Sequence, residues 1–464
     1  MMIDKFIDFV KGVFKKMFDS TTVAKKAFNL DSLMSEKMST AISNWKLIYE
    51  GNAPWVDEYV EASDTPAQVA NEFARLTTLE METQITGGKR AEYLDKIYQE
   101  FIANLDEKLE IGNAVGGVYF KPYVSDNKIY INSIAQGDFI PIAFDGDGNL
   151  NSVIFVDTFT AGKYIYSRLE WQRIEEDALI IINKAFRSEN KNTLGNEVSL
   201  TEIDRWAKIE PITIIDNMSK IFGGFYKVPK ANHIDKTSPL GVSVYSRALK
   251  ELEKLDKQKS RLDWEYQSGE RKTYVDTMAL NETQIIKDGK TVNKKANVDK
   301  RLFKSLNVNK EDFFRDYSPE IRDDAYLRGL DKYKKEVEFA CDLAYGTISD
   351  PASIEKTATE IKGSKQKSYA VVTKMQTKTE KALNDLIESM DILCTLYGLA
   401  PAGDYEVSYK WDDSLVVDAE TERQQDIRDV NLGIMTKAEY RAKWYGETIE
   451  EAQKNLPQEA DLIE

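Results

Sequence analysis

One histidine, His233, and two cysteines, Cys341 and Cys394, bound the nucleophilic and metal chemistry open to this chain of 464 residues. A Ser-His-Asp triad or a zinc centre would have to be built on His233 alone, with two distant thiols to help. His233, in "PKANHIDKTSPLG", therefore reads as a structural or surface residue. The string "ITGGKRAEYL" resembles a phosphate loop, but Thr83 stands where the first glycine is needed and Arg90 replaces the required Ser or Thr. It reads as the end of one helix and the start of the next. "DGDGN" at 145–149 resembles a calcium loop. The loop's glycine would fall at Leu150 and its closing glutamate at Val156, so a hairpin turn is the better reading. Carboxylate pairs such as Glu175-Glu176 and Asp412-Asp413 suit solvated turns. No residue pattern calls for a cofactor or a metal, and the expectation is a chain that is not an enzyme.

Two groups of lysines and arginines stand apart. The stretch "SDPASIEKTATEIKGSK" (349–365) is polar, rich in small residues, and carries Lys356, Lys362 and Lys365. Between 270 and 310 lies a basic island: Arg271, Lys272, Lys287, Lys290, Lys294, Lys295, Lys300, Arg301, Lys304 and Lys310 against Glu270, Asp276, Glu282, Asp288 and Asp299. The island fits a solvated face, a docking surface for a partner, or an electropositive mouth for nucleic acid. The formal net charge of −15 argues against a bulk nucleic-acid coat, yet suits a wall past which DNA slides without being gripped.

The elements that position these groups are readable from periodicity. Residues 1 to about 110 read as helices, including one pattern running from Thr65 to the Gly87-Gly88 pair. The N-terminal "MMIDKFIDFVKGVFKKMF" is interrupted by Asp4, Lys5, Asp8, Lys11, Lys15 and Lys16. It reads as an amphipathic helix docked on its own protein, with a membrane-surface helix as the other reading. From Gly116 to about Arg187 the residues alternate as in an antiparallel, half-exposed sheet, with turns at Ser125-Asp126-Asn127 and at 145–148. From Gly241 the helical period returns on a narrow seam: Tyr245, Ala248, Leu252, Leu255, Leu262 and Tyr266. A second such helix, about 323–345, carries Leu327, Leu330, Tyr333, Val337, Cys341 and Ala344. Between them sits a small mixed insert with "KTYVDTMAL" as a strand and "KDGKT" as a tight turn. A long helix follows from about Lys365 to Leu396, then the strand "YEVSYKW" and a helical tail with a capping box at Thr436–Glu439. The fold class is α+β, with two long helices carrying a small insert at their far end. No run of about twenty apolar residues is present, so no membrane span is expected, and two cysteines in such a chain suit a reducing cytoplasm.

Six strings, in this order along the chain, carry a resemblance: "NWKLIYEGNAPWV" (44–56), "LEMETQITG" (79–87), "VGGVYFKPYV" (115–124), "GDFIPIAFDGDGNLNSVIFVD" (137–157), "PKANHIDKTSPLGVSVYSRAL" (229–249) and "KTATEIKGSKQKSYAVV" (356–372). Together with the nested architecture they resemble the portal proteins of tailed bacteriophages, in particular a siphovirus group. The family pattern more often has asparagine where His233 stands, and nothing in the reading depends on that position. The resemblance implies a ring, twelve subunits in the capsid, at one capsid vertex. It would conduct double-stranded DNA during packaging and ejection without catalysis. It implies a wing at 1–240, stem helices at 241–268 and 323–346, a clip at 269–322, a tunnel loop at 347–356, a long wing helix and return at 357–409, and a crown at 410–464. In such a ring Ser349, Asp350, Ser353, Lys356, Lys362 and Lys365 would face DNA in the channel. Arg271, Lys272, Lys287, Lys290, Lys294, Lys295, Lys300 and Arg301 of the clip would dock terminase and later a head-completion adaptor. Capsid and scaffold proteins are the other implied partners, and the virion the implied location, after assembly in the host bacterial cytoplasm. Another phage head structural or head–tail adaptor subunit is the alternative, against which the nested helix pair and tip argue.

Overall fold

The computed structural model describes residues 20–190, 192–276, 283–287, 290–294, 302–306, 314–351, 358–411 and 419–456. The fold is mixed α+β. The body begins with α1 (Ser20–Phe28), α2 (Glu36–Tyr49) and α3 (Thr65–Thr78). Ser35 opens α2 by accepting the amide of Met38, and Pro66 sits in the first turn of α3, where a missing N–H costs nothing. Strand β1 (Met81–Gly87) follows, then α4 (Lys89–Ile102) and α5 (Leu105–Val115).

The expectation of a single helical pattern from Thr65 to Gly88 is corrected here. The helix stops at Thr78, and β1 pairs antiparallel with β16 (Tyr405–Trp411), Met81 opposite Trp411 and Gly87 opposite Tyr405. "METQIT" alternates and carries β-branched residues, so it extends once a partner strand is supplied from the far end of the chain. The first 110 residues are therefore not wholly helical, and β16, which straddles the expected boundary at 409/410, belongs to the body.

The alternating region forms two sheets. One has the order β10-β2-β3, from β2 (Gly117–Ser125), β3 (Lys128–Ala135) and β10 (Gly224–Lys227). The other runs β4-β5-β6-β7-β8, with β9 (Ile212–Asp216) also paired to β7. Its strands are Phe139–Phe144, Leu150–Ala161, Tyr164–Glu175, Ala178–Ser188 and Asn196–Val198. Both expected hairpin turns form. Asp126 and Asn127 have φ of 49° and 58°, the pair of positive values that a two-residue turn matched to strand twist demands. Asp145 Oδ1 accepts the amides of Asp147 and Asn149 and closes the β4–β5 turn.

A buried polar network joins the two sheets. Lys121 of β2 donates to Glu170 of β6 at 2.7 Å, Arg168 donates to the same carboxylate at 3.1 Å, and Gln172 donates to its other oxygen. Burial alone would raise the Glu170 carboxyl. The cations Lys121 and Arg168, then the hydrogen bonds from Lys121 and Gln172, hold it down at about 2 against an ordinary 4.5. A depressed carboxyl contributes stability that is fully present above its unfolded value and is lost as pH falls through its folded value. The denaturant midpoint is therefore expected to fall as pH drops from about 4.5 toward 2. Glu170→Gln, which leaves two buried cations without a counter-charge, should be less stable at neutral pH by roughly 3–5 kcal/mol and lose less on acidification. Urea titrations of both proteins across this range check it, and parallel curves would contradict it.

Most of the core is one cluster, with Trp45, Phe73, Tyr98, Phe120, Tyr226 and Tyr245 buried together with Met375, Leu383, Leu386 and Met390 of α8 (Ala358–Tyr397). Helix α8 crosses the body beneath β10. At Gly224 a Cβ would stand 1.8 Å from the Ala382 carbonyl, so only glycine lets the strand lie this close to the helix.

The nested helices are α6 (Leu249–Gly269) and α7 (Asp323–Cys341). They run antiparallel: Gly269 meets Ile321, Arg322 pairs with Glu265 at 2.7 Å, and Gln258 donates to the Tyr326 carbonyl. Both are shorter than expected. The chain from 241 to 248 is a turn, and α7 ends at Cys341, where Asp342 turns left-handed with φ of 68°. The near end of α6 is bolted to the body through buried Asp256, which accepts from Trp55 Nε1, Ser63 N and Ser63 Oγ. At the far end, β11 (Lys272–Asp276) continues from α6 and pairs with β15 (Phe314–Tyr317), which leads into α7. Strand β14 (Phe303–Leu306) completes that sheet, and β12 (Thr283–Lys287) pairs with β13 (Lys290–Lys294) as a hairpin. The tail holds α9 (Ala419–Asn431), α10 (Lys437–Tyr445) and α11 (Ile449–Lys454), with the expected capping box at Thr436 and a second at Thr448. No helix among the described residues is long and apolar enough to cross a membrane.

Candidate functional site

The connection from α7 to α8 is built around a buried carboxylate. Glu338, on the last turn of α7, accepts the amides of Ile348 and Ser349 at 2.7 and 2.8 Å through Oε1, and the Ser349 hydroxyl at 2.9 Å through Oε2. The same Ser349 oxygen accepts the Gly346 amide at 3.2 Å. Gly346 has φ of 85°, a backbone that favours glycine. Asp350 is exposed, and its amide donates to Asp331 of α7. The start of this connection is thus a fixed turn hung from α7.

This placement divides the residues singled out from the sequence. Ser349 is buried and its hydroxyl is engaged, so it holds the turn and presents nothing to a ligand. Asp350 is exposed at the rim, and Lys365 is exposed on the second turn of α8. Lys362 lies in the first turns of α8. Ser353 and Lys356 lie outside the described residues. Behind the turn, Asp342 is clamped by Lys230 at 3.1 Å and Lys367 at 2.8 Å. Burial would raise its carboxyl, but Lys367 and then Lys230 hold it below the ordinary range. Glu338 carried no motif. Its only signal is an acid immediately after Val337 on the face of α7 that is otherwise apolar.

Removing the Glu338 carboxylate strands the buried Ser349 amide, at a cost of roughly 1–3 kcal/mol, and the half-buried Ile348 amide. Glu338→Ala is therefore expected to lower hydrogen-exchange protection at Ile348 and Ser349 by about tenfold or more, while α8 beyond Val372 keeps its protection. Unchanged exchange at those two amides would contradict this account of the turn.

The tip holds the second group. Arg271 pairs with Asp316 at 3.2 Å and remains mostly exposed. Lys272 donates to the Gln267 and Ser268 carbonyls, closing the C-terminal end of α6. Lys287 and Lys290 are register partners at the closed end of the β12–β13 hairpin, and Lys294 stands opposite Thr283 at its open end. Lys295, Lys300 and Arg301 lie outside the described residues. The tip therefore places cations on two β units, both spaced from the body by the helix pair.

The decoys resolve as structural features. Arg90 is buried and bonds the turn that follows α8. His233 is exposed, and its imidazole is lowered by what burial it has and by Arg247. Burial pushes Cys341 up to about 12 and Cys394 up to about 11, so both thiols are protonated. Among the described residues no three His, Cys, Asp or Glu side chains converge as a metal site would need.

The helix pair has apolar residues that face water in the single chain. Trp264 is 67% exposed, Phe339 63%, Leu327 45% and Tyr266 40%. The sequence seam placed Leu327 and Tyr266 inside the pair, and the structure turns both partly outward, because the short contact between two helices covers only one stripe of each. Compared with protein-family models and with curated proteins, the chain matches none.

Proposed function

We propose that this chain is the subunit of a ring-forming, portal-type phage protein, a non-catalytic conduit for double-stranded DNA. It would also be a docking platform for terminase and head-completion proteins. One observation carries the reading: an antiparallel helix pair, bolted to the body at Asp256, holds a small β tip away from it and keeps Trp264 and Phe339 exposed on its flanks. Large apolar side chains on the sides of a stalk favour lateral packing against like stalks. A repeated lateral contact closes into a ring when the rotation between neighbours divides a full turn.

In this reading the α7–α8 connection faces the ring axis. Ser349 anchors it and Asp350, Lys356, Lys362 and Lys365 supply its charge. Contact with DNA would be through phosphates, without base reading, as a sequence-blind conduit requires. The tip cations would meet the motor or the adaptor. Mass photometry of the purified protein tests the reading. A single assembled species of about a dozen subunits is expected, with no ATP hydrolysis copurifying. A monomer or dimer at all concentrations would overturn it.

A further inference from the structure

Four lysines of α8 fall on one line. Lys367, Lys374, Lys378 and Lys381 are separated by seven, four and three residues, which at 3.6 residues per turn keeps them within about 60° of one another around the helix. Lys374, Lys378 and Lys381 are exposed, while Met375, Thr379, Ala382 and Leu383 turn into the core. Strand β10 adds a fifth cation. Its Gly224 lies against Ala382, which sets Lys227 beside Lys378 and Lys381, and Lys227 donates to the Pro239 carbonyl. Burial, then repulsion from Lys378 and Lys381, lowers the Lys227 ammonium.

The ends of this line meet acids. Lys367 is tied to Asp342. Lys381 donates to Asn149 and also faces the exposed Asp145 carboxylate, which accepts from Asn149 and Asp147. Asp385 and Glu388, further along α8, are bridged by Lys220. Among the described residues, Lys374, Lys378 and Lys227 have no carboxylate within ion-pair distance. In a chain of net charge −15 such a strip is a local reversal of sign.

We propose that Lys374, Lys378 and Lys381 of α8, with Lys227 of β10, form a track that binds the phosphate backbone of double-stranded nucleic acid. The steps from Lys374 to Lys378 and on to Lys381 advance about 6 and 4.5 Å along the axis. One strand of a duplex offers a phosphate about every 3.4 Å, so three flexible ammonium groups over about 10 Å can each meet one. The track offers single charges and no amide or guanidinium fork, so it reads no bases. It lies on one subunit and does not require a ring.

The test is fluorescence anisotropy of a labelled duplex of about 30 base pairs, titrated with the full chain at several salt concentrations. The track variant is Lys374→Gln/Lys378→Gln/Lys381→Gln. The control is Lys89→Gln/Lys96→Gln/Lys208→Gln, three exposed lysines elsewhere with the same change in net charge. The track variant should lose at least about tenfold in affinity at low salt, and its slope of log K against log salt should flatten by about 2–3. The control should match wild type. Equal weakening of both triples, an unchanged slope in the track variant, or no duplex binding by wild type at low salt would overturn the proposal. So would a track variant that keeps its duplex affinity but changes assembled mass, since the strip would then face a second copy. Mass photometry of the same variant keeps this outcome separate from the ring reading.

Discussion

Arg90→Ala is expected to destabilise the protein by about 3 kcal/mol, because it removes a buried guanidinium whose charge-assisted hydrogen bonds each contribute roughly 1.5–3 kcal/mol. The Arg90 side chain is 1% exposed, and all three guanidinium nitrogens are engaged. Nε donates to the Pro401 carbonyl at 2.9 Å, and Nη2 to the Ala400 carbonyl at 2.9 Å. Nη1 donates to the Asp391 carbonyl and carboxylate, both at 2.8 Å, and to Thr395 Oγ1. One side chain at the start of α4 therefore satisfies the carbonyls at the end of α8 and in the turn that leads to β16. Its loss unties the end of α8 and this turn from α4, and loosens the β1–β16 ribbon. Arg90→Lys should recover only part of the loss, because an ammonium cannot span the fork between Asp391 and Pro401. The urea midpoint should fall with little change in slope. A loss under about 1 kcal/mol for Arg90→Ala would show that the turn finds other donors.

Trp264→Asp and Phe339→Asp are expected to abolish assembly while leaving the subunit folded. Both side chains are more than half exposed in the single chain, so substitution there should shift folding stability by no more than about 0.5 kcal/mol. Phe339 also lies under the Lys367 ammonium, 4.4 Å from the ring centroid, and an aspartate there would pair with the same lysine. In the proposed ring each position is buried between neighbouring stalks, so either substitution recurs at every subunit contact. The assembled species should give way to monomer at micromolar concentration, with an unchanged far-ultraviolet circular-dichroism spectrum and a melt that is lowered only by the loss of assembly. Assembly that survives both substitutions would place these residues outside any subunit contact.

The elements with a local cause were legible. The β2–β7 strands alternate, their turns carry Asp126-Asn127 and Asp145, and Thr436 with Glu439 announces α10; each is read within a few residues. The nested helix pair was legible because its seam is apolar at a helical period and its insert changes character. What failed depends on partners far away in the chain. Strand β1 looked helical because its extended form is stabilised by β16, and Lys410 of β16 meets Glu82 of β1 across 328 residues. Arg90 read as a flaw in a phosphate motif, and its role appears only when the end of α8 is brought beside it. Glu338 was not singled out, because its role depends on the amides of Ile348 and Ser349 that the turn brings to it. The line of lysines is a spacing of seven, four and three along one helix, but the cation that joins it, Lys227, comes from β10, far away in the chain.

The central claim is that copies of this chain close around an axis with the α7–α8 connection on the inner wall. Cryo-electron microscopy of the purified assembly, averaged down its symmetry axis, tests this most directly. The account predicts a closed ring with a central hole, the α6–α7 stalks packed side by side through Trp264 and Phe339, and Asp350 and Lys365 nearest the axis. A ring with the α7–α8 connection on its outer wall, or particles with no hole, would contradict it.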